Sequence, residues 1–385
     1  MPLITSGKAA RGLGFILGLT VLVAAAHGQP AARALSHTPY VLDCGPRSLA
    51  TELCRQAIGF TPQDAARRLG AANLAYWIDG HTLNVVARSN EPEVVLAGTI
   101  QEDMTPLPFG PGLWGASYRV PELDKSIIEM GMDDNRSVAP TLLYRGGQAP
   151  PAPPSNAALK GRVQTLDIKS VALGGSRQVS VYIPPGRAPK GGWPVVIAAN
   201  GEAMGPYLSM IDALIERREI QPVAVVAIWS DGKAAQAGEY LHGKDADAYQ
   251  RHALFVAREV MPMMEKSFSI TADPARRLLF GYGDGADWTL ETAARDPAMA
   301  GSIAAFSPPA LTEPPWRPAK GAHQRIYVAA GAYEPPFVKG GRQTCNLAGA
   351  SGDICTLQIA YAGHTPAFWQ SELARVLKLV FPARG

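Results

Sequence analysis

Between residues 170 and 385, apolar positions gather into short unbroken runs separated by longer stretches of helical period. Val179–Ile183, Pro194–Ala199, Pro222–Trp229, Leu278–Phe280 and Ile326–Ala330 have strand length and hold few polar residues. Ser209–Arg218, Asp247–Phe268, Asp287–Arg295 and Ala367–Val380 carry the helical spacing. A strand with one wet face alternates apolar and polar residues, whereas an unbroken apolar run belongs to a strand covered on both faces. The pattern predicts an α/β fold: a doubly wound, mostly parallel sheet with helices on both sides.

The N-terminal part is patterned differently. Leu49, Leu53, Ala57 and Ile58 recur at helical spacing and predict a helical stretch over Arg47–Arg68, while Thr61-Pro62 offers a cap and first-turn proline for a short helix ending at Leu69. Ala75–Ile78 and Thr82–Ala87 flank Asp79-Gly80, a hairpin signal; Glu93–Ala97 and Leu113–Val120 continue the strand pattern. A small β-sandwich with a short helical segment is expected over 36–147. Trp77 and Trp114 read as its core, with a sugar-binding surface as the alternative use. Residues 148–158, QAPPAPPSNAA, are too proline-rich for helix or sheet and read as a linker. The α/β domain then occupies 159–385.

Lys8 and Arg11 precede the apolar stretch Leu13–Ala26, and small residues follow at Ala24-Ala25-Ala26 and Ala32-Arg33-Ala34. That is the layout of a cleaved secretory signal over 1–34. A membrane anchor needs about 20 apolar residues, and this run is shorter. The expected product is periplasmic or secreted, with no membrane span after cleavage. Export makes disulfides the first reading of the four cysteines, with buried thiols as the alternative. Cys345 and Cys355 flank a turn-rich Ala-Gly-Ala-Ser-Gly-Asp segment; Cys44 and Cys54 can pair only if Cys44 folds back outside the expected helix. Neither pair has the spacing of a zinc site, the dispersed histidines suggest no metal, and no cofactor is expected. The formal charge of +3, without any Lys/Arg block, argues against nucleic acid as a partner.

The chemistry concentrates at Arg277-Leu-Leu-Phe-Gly281-Tyr282-Gly283-Asp284-Gly285, where a short strand runs through alternate glycines into a helix. This is the context of the nucleophile elbow G-x-S-x-G, in which small flanking residues let a strained turn present its central side chain. Here the central position is Gly283, which has no side chain. The dinucleotide fingerprint is excluded because its third glycine would fall at Ala286.

Further matches support the elbow. Arg177–Gly186, the strand Pro194–Ala199 leading to Asn200-Gly201, Glu239-Tyr240, Glu259–Pro262, Gly331–Glu334, and Gly363-His364 with Trp369 together resemble the esterase D and enterochelin esterase family of α/β-hydrolases. The resemblance spans 162–385, and Tyr76–Gly80 with Leu113-Trp114 resembles the β-sandwich preceding such domains. It implies His364 as catalytic base and Glu334 as the acid that orients it, in the α/β-hydrolase chain order. It also implies oxyanion-stabilising amides near Gly201 and Asp284, with Asn200 standing where the family commonly has histidine. Base and acid are thus expected without a nucleophile. Ser307, at the end of another strand, is the candidate replacement nucleophile, and His364-activated water is a second route. The function expected is an impaired esterase homologue that keeps a pocket for an ester-, siderophore- or saccharide-like small molecule. An active ester hydrolase working by one of the other routes, or a polysaccharide-binding or interaction protein, is the alternative.

Overall fold

The computed structural model describes residues 41–46, 52–107, 112–134, 141–310, 316–319 and 321–383. The expected signal segment lies outside them. The described residues belong to one compact unit.

Among the described residues, ten short strands come first: β1 (Leu42–Asp43), β2 (Cys54–Gln56), β3 (Leu74–Asp79), β4 (Thr82–Arg88), β5 (Val95–Gly98), β6 (Glu102–Asp103), β7 (Thr105–Pro106), β8 (Leu113–Arg119), β9 (Ile127–Asp133) and β10 (Leu142–Arg145). They form two sheets, β1-β2-β8-β4-β3 with β7 on β8, and β10-β9-β5-β6. Leu83, Val85 and Tyr118 of the first sheet share a core with Leu96, Met130 and Met132 of the second. Helix α1 (Pro62–Leu69) starts at Thr61, whose side chain and Asp64 make a reciprocal capping box. The longer helix expected from Arg47 is not formed across Cys54–Gln56. Those residues instead pair antiparallel with Ser117–Arg119 of β8, and sheet pairing there outweighs local helical spacing. Because β2 replaces helix, Cys44 and Cys54 come within 5.0 Å between Cα atoms and are bridged. Trp114 is buried, its indole donating to the Ser89 carbonyl. Trp77 packs edge-on against Phe60 under α1.

Eight strands follow in one sheet: β11 (Arg162–Ser170), β12 (Gly175–Ile183), β13 (Val195–Ala198), β14 (Ala224–Ile228), β15 (Arg277–Tyr282), β16 (Ser302–Phe306), β17 (Arg325–Gly331) and β18 (Ile354–Ala360). Their order is β11-β12-β14-β13-β15-β16-β17-β18. β11, β12 and β14 pair antiparallel, and every later neighbour pair is parallel. Val195 and Ile197 point into one core with helices α4 (Ala246–Leu254), α5 (Met261–Phe268) and α6 (Asp284–Arg295). Val196 and Ala198 point into the opposite core with α2 (Gly205–Glu216) and α8 (Pro366–Val380). Both faces are covered, which is why these strands read as continuous apolar runs. β11 escaped the pattern because it is a polar edge strand, largely exposed along its first half.

Two further helices were not expected: α3 (Lys233–Tyr240) and α7 (Pro335–Ser351). The glycine-rich segment after Cys345 is the end of α7 rather than a turn, and the chain reverses at Gly352 in the left-handed region. Pro335 and Pro336 occupy its first turn, where proline's missing N–H costs nothing. The Cys345–Cys355 bridge therefore ties α7 to the neighbouring strand β18.

Candidate active site

The central strand β15 ends at Tyr282, and the chain turns at Gly283 directly into α6. Gly283 has φ 55° and ψ −127°, a conformation costly for any residue with a Cβ. Its N–H donates to the Phe306 carbonyl of the adjacent strand at 3.0 Å, fixing the turn against the sheet. The flanking glycines are explained by crowding. A Cβ on Gly281 would overlap the Gly285 carbonyl, and one on Gly285 would overlap the Asn200 side-chain oxygen.

Two loops reach over this turn. The one after β17 carries Glu334, which is 2% exposed, and the one before α8 carries His364. His364 Nδ1 lies 2.8 Å from Glu334 Oε2. Since a carboxylate can only accept, Nδ1 carries the proton and Nε2 is left as the basic nitrogen. Glu334 Oε1 in turn accepts from the Gly331 N–H and from Ser307 Oγ, each at 2.6 Å. The imidazole sits between Phe337, 4.4 Å away between ring centres, and the edge of Trp369 at 4.7 Å. Tyr282 stacks on Trp369 at 4.2 Å, completing an aromatic wall. Nε2 faces the turn: a Cβ placed on Gly283 would lie 3.3 Å from it.

Ser307 does not occupy the position expected of a replacement nucleophile. It is fully buried, donates to Glu334 and accepts from the Trp369 indole at 2.8 Å. Its hydroxyl is committed on the Glu334 side of the pair, away from Nε2. Position at a strand end was its only sequence signal, and that signal does not encode which way the side chain is bonded.

The remaining residues surround the turn. Asp284 opens α6, so its amide is among the first-turn N–H groups that have no acceptor within the helix. Burial pushes its carboxyl upward, opposed by nearby His364 and Lys244. Three residues on, Asp287 is pushed up to about 8 by burial, with Asp284 and Glu291 adding to the effect. Gly201 starts a single 3₁₀ turn (Gly201–Ala203) packed against Ile228 and Trp229. Asn200 is buried at φ 55°, and its N–H donates to the Tyr240 hydroxyl at 3.0 Å. Among the described residues its Oδ1 has no hydrogen-bond partner. No group of three or more His, Cys, Asp or Glu among the described residues is placed to hold a metal ion.

Residues 170–336 match the Esterase family model, described as "Putative esterase". The fold matches the enterobactin esterase of Shigella flexneri solved in the presence of enterobactin, with a TM-score of 0.64 at 14% identity over 80% of this chain and 95% of that one. The chain has the α/β-hydrolase fold of these esterases. The ferric enterobactin esterase of Salmonella typhimurium is similar in fold, at a TM-score of 0.62 and 14% identity over 80% of this chain and 96% of the other. In sequence, the chain is 28% identical over 152 residues to the uncharacterized protein YjcH of Bacillus subtilis (strain 168). That match spans 38% of this chain and 62% of the relative's length. At 80% of this chain, the structural likeness extends well beyond residues 170–336 of the family match.

Proposed function

We propose that this esterase-like protein is exported, has lost serine chemistry at its elbow, and retains a pocket for an ester- or siderophore-like small molecule. The division into an N-terminal β-sandwich, a proline-rich connection and an α/β domain belongs to the same proposal. One observation carries it. His364 and Glu334 stand 2.8 Å apart over a turn whose central residue, Gly283, offers no atom to attack a carbonyl. In this reading Glu334 orients His364, and the amides of Gly201 and Asp284 face the ligand's carbonyl oxygen. Both disulfides suit an oxidising compartment. Among the described residues, no helix is long and apolar enough to cross a membrane. The ligand class follows the Shigella flexneri esterase, solved with enterobactin and with 2,3-dihydroxy-N-benzoyl-serine.

The test combines turnover and binding on the purified chain. Short p-nitrophenyl esters are expected to be hydrolysed far below a typical enzymatic rate of about 10 s⁻¹. Calorimetry with 2,3-dihydroxy-N-benzoyl-serine is expected to show binding that weakens in His364→Ala. Turnover at a typical enzymatic rate, unchanged in Gly283→Ala, would overturn the loss of serine chemistry. The absence of binding would overturn the ligand class.

The space between Gly283 and Nε2 favours one second reading. A water there could give its proton to Nε2 while its oxygen adds to the ester carbonyl. The imidazolium would then return the proton to the departing alkoxide, leaving acid and alcohol. Slow hydrolysis abolished by His364→Ala would support this route; slow hydrolysis indifferent to His364 would eliminate it.

A further inference from the structure

The His364–Glu334 pair is mounted on two loops, and each loop is fastened to the N-terminal sheets. Tyr333, next to Glu334, is 4% exposed, and its hydroxyl donates to the Pro121 carbonyl at 2.6 Å. The same hydroxyl lies 2.6 Å from the buried Ser126 Oγ, from which it can accept. Those two partners belong to the segment between β8 and β9. The acid's neighbour is therefore anchored outside its own sheet.

The histidine loop is held at three points. Ile127, the first residue of β9, donates its N–H to the Tyr361 carbonyl at 2.9 Å and pairs in parallel with Ala362. Gly363 lies against Thr99, so closely that a Cβ there would come within 2.7 Å of the Thr99 carbonyl oxygen. Beyond His364, α8 begins without a side-chain cap from its own N-cap, Thr365. Glu129 of β9 takes that place, accepting the Ala367 N–H at 2.8 Å. A first-turn helix amide needs an acceptor from outside the helix, and a carboxylate is electrostatically favoured at that end.

We infer that the N-terminal sheets hold the His364–Glu334 pair in register, with Tyr333 and Glu129 as the positioning residues. This rests on the reading of His364 and Glu334 as the working pair. Neither residue reaches Gly283; both act through the loops they fix. The packing is two-sided: one anchor precedes Glu334 and the other follows His364. Loss of either lets one partner drift while the other stays. A hydrogen bond at 2.8 Å and a catalytic approach to Nε2 are both steeply sensitive to such drift, and a displacement of about 1 Å can cost about a hundredfold in rate.

The direct probe is the low-field proton resonance of an imidazole Nδ1–H bonded to a carboxylate, read by NMR on the full chain. It is expected to be lost or broadened in Tyr333→Phe and Glu129→Ala, and retained in Glu129→Gln, whose amide oxygen still accepts from Ala367. In the Gly283→Ser background the first two changes are expected to lower kcat roughly ten- to a hundredfold while KM moves less than about twofold. Folded variants that keep the resonance and kcat would overturn the inference, as would a Glu129→Gln variant that behaves like Glu129→Ala. Glu334→Gln separates the two levels of argument. If it abolishes the resonance while Tyr333→Phe and Glu129→Ala do not, only the positioning role fails. If it leaves the resonance unchanged, the pair itself is refuted and the inference falls with it.

Discussion

Replacing Gly283 by serine supplies the hydroxyl that the proposed function takes to be lost, and tests the site at its centre. The Cβ of the new side chain would lie 3.3 Å from His364 Nε2 and 3.6 Å from Cε1, and among the described residues, apart from Tyr282 and Asp284 on either side, no third heavy atom lies within 4 Å. That is tight, so the imidazole must yield by a few tenths of an ångström. It is also the approach that brings a hydroxyl, one bond further out, within hydrogen-bond reach of Nε2. Two effects should follow. The φ of 55° and ψ of −127° suit glycine and penalise any Cβ by roughly 1–3 kcal/mol, so stability should fall. Removing a triad serine from a comparable hydrolase costs about 10⁶-fold in turnover. Even partial recovery at an untuned site should therefore raise ester hydrolysis by about 10³-fold or more. The assay is initial-rate hydrolysis of p-nitrophenyl acetate and butyrate, alongside mass spectrometry for a covalent adduct on residue 283 after sulfonyl fluoride treatment. Gly283→Ala shares the backbone strain without the hydroxyl and is the proper baseline. Gly283→Ser/His364→Ala should return to that baseline. A Gly283→Ser protein as stable as Gly283→Ala, yet no faster and unlabelled, would show that the loops do not place His364 for catalysis.

Three further outcomes concern stability. Asp287 has its pKa raised from 3.8 to about 8, so the unfolded chain ionises first and stability declines as pH rises from near 4 towards 8. Asp287→Asn should remove that decline, gaining little at pH 4 and on the order of a few kcal/mol at pH 9 in urea titrations; equal gains at both pH values would refute the assignment. His252 is wholly buried against Tyr240, Phe255 and Trp288, and burial, with Arg177 adding, lowers its pKa from 6.5 to about 3. Acidification below 6.5 then charges the unfolded chain first and costs stability down to pH 3, so His252→Leu should flatten that acid limb; an unchanged slope would count against it. Cys345→Ser/Cys355→Ser opens a bridge spanning 10 residues, and the chain-entropy relation gives a loss of about 3 kcal/mol. Activity of the Gly283→Ser form should survive that change below the lowered melting point, since α7 keeps its packing on β17 and β18.

What could be read from the chain alone was whatever repeats locally. Strands buried on both faces print continuous apolar runs, so β12 to β15 and β17 were visible, as was the hairpin at Asp79-Gly80. The strand-to-helix turn was legible because its crowding demands glycine at 281 and 285 whatever stands between them. Gly363-His364 and Glu334 could be singled out because matches at fixed positions add up along the chain. The tertiary structure decided everything that depends on a partner distant in sequence. Pairing with β8 turned Cys54–Gln56 from expected helix into strand and allowed the bridge to Cys44. Packing on β17 and β18 made a helix of the glycine-rich stretch around Cys345. A hydroxyl's role depends on the atom 2.6 Å away, and for Ser307 that atom is on Glu334, 27 residues later. For Tyr333 it is the carbonyl of Pro121, 212 residues earlier. Periodic burial leaves a trace in neighbouring residues; a single long-range hydrogen bond leaves none, and this site is assembled from such bonds.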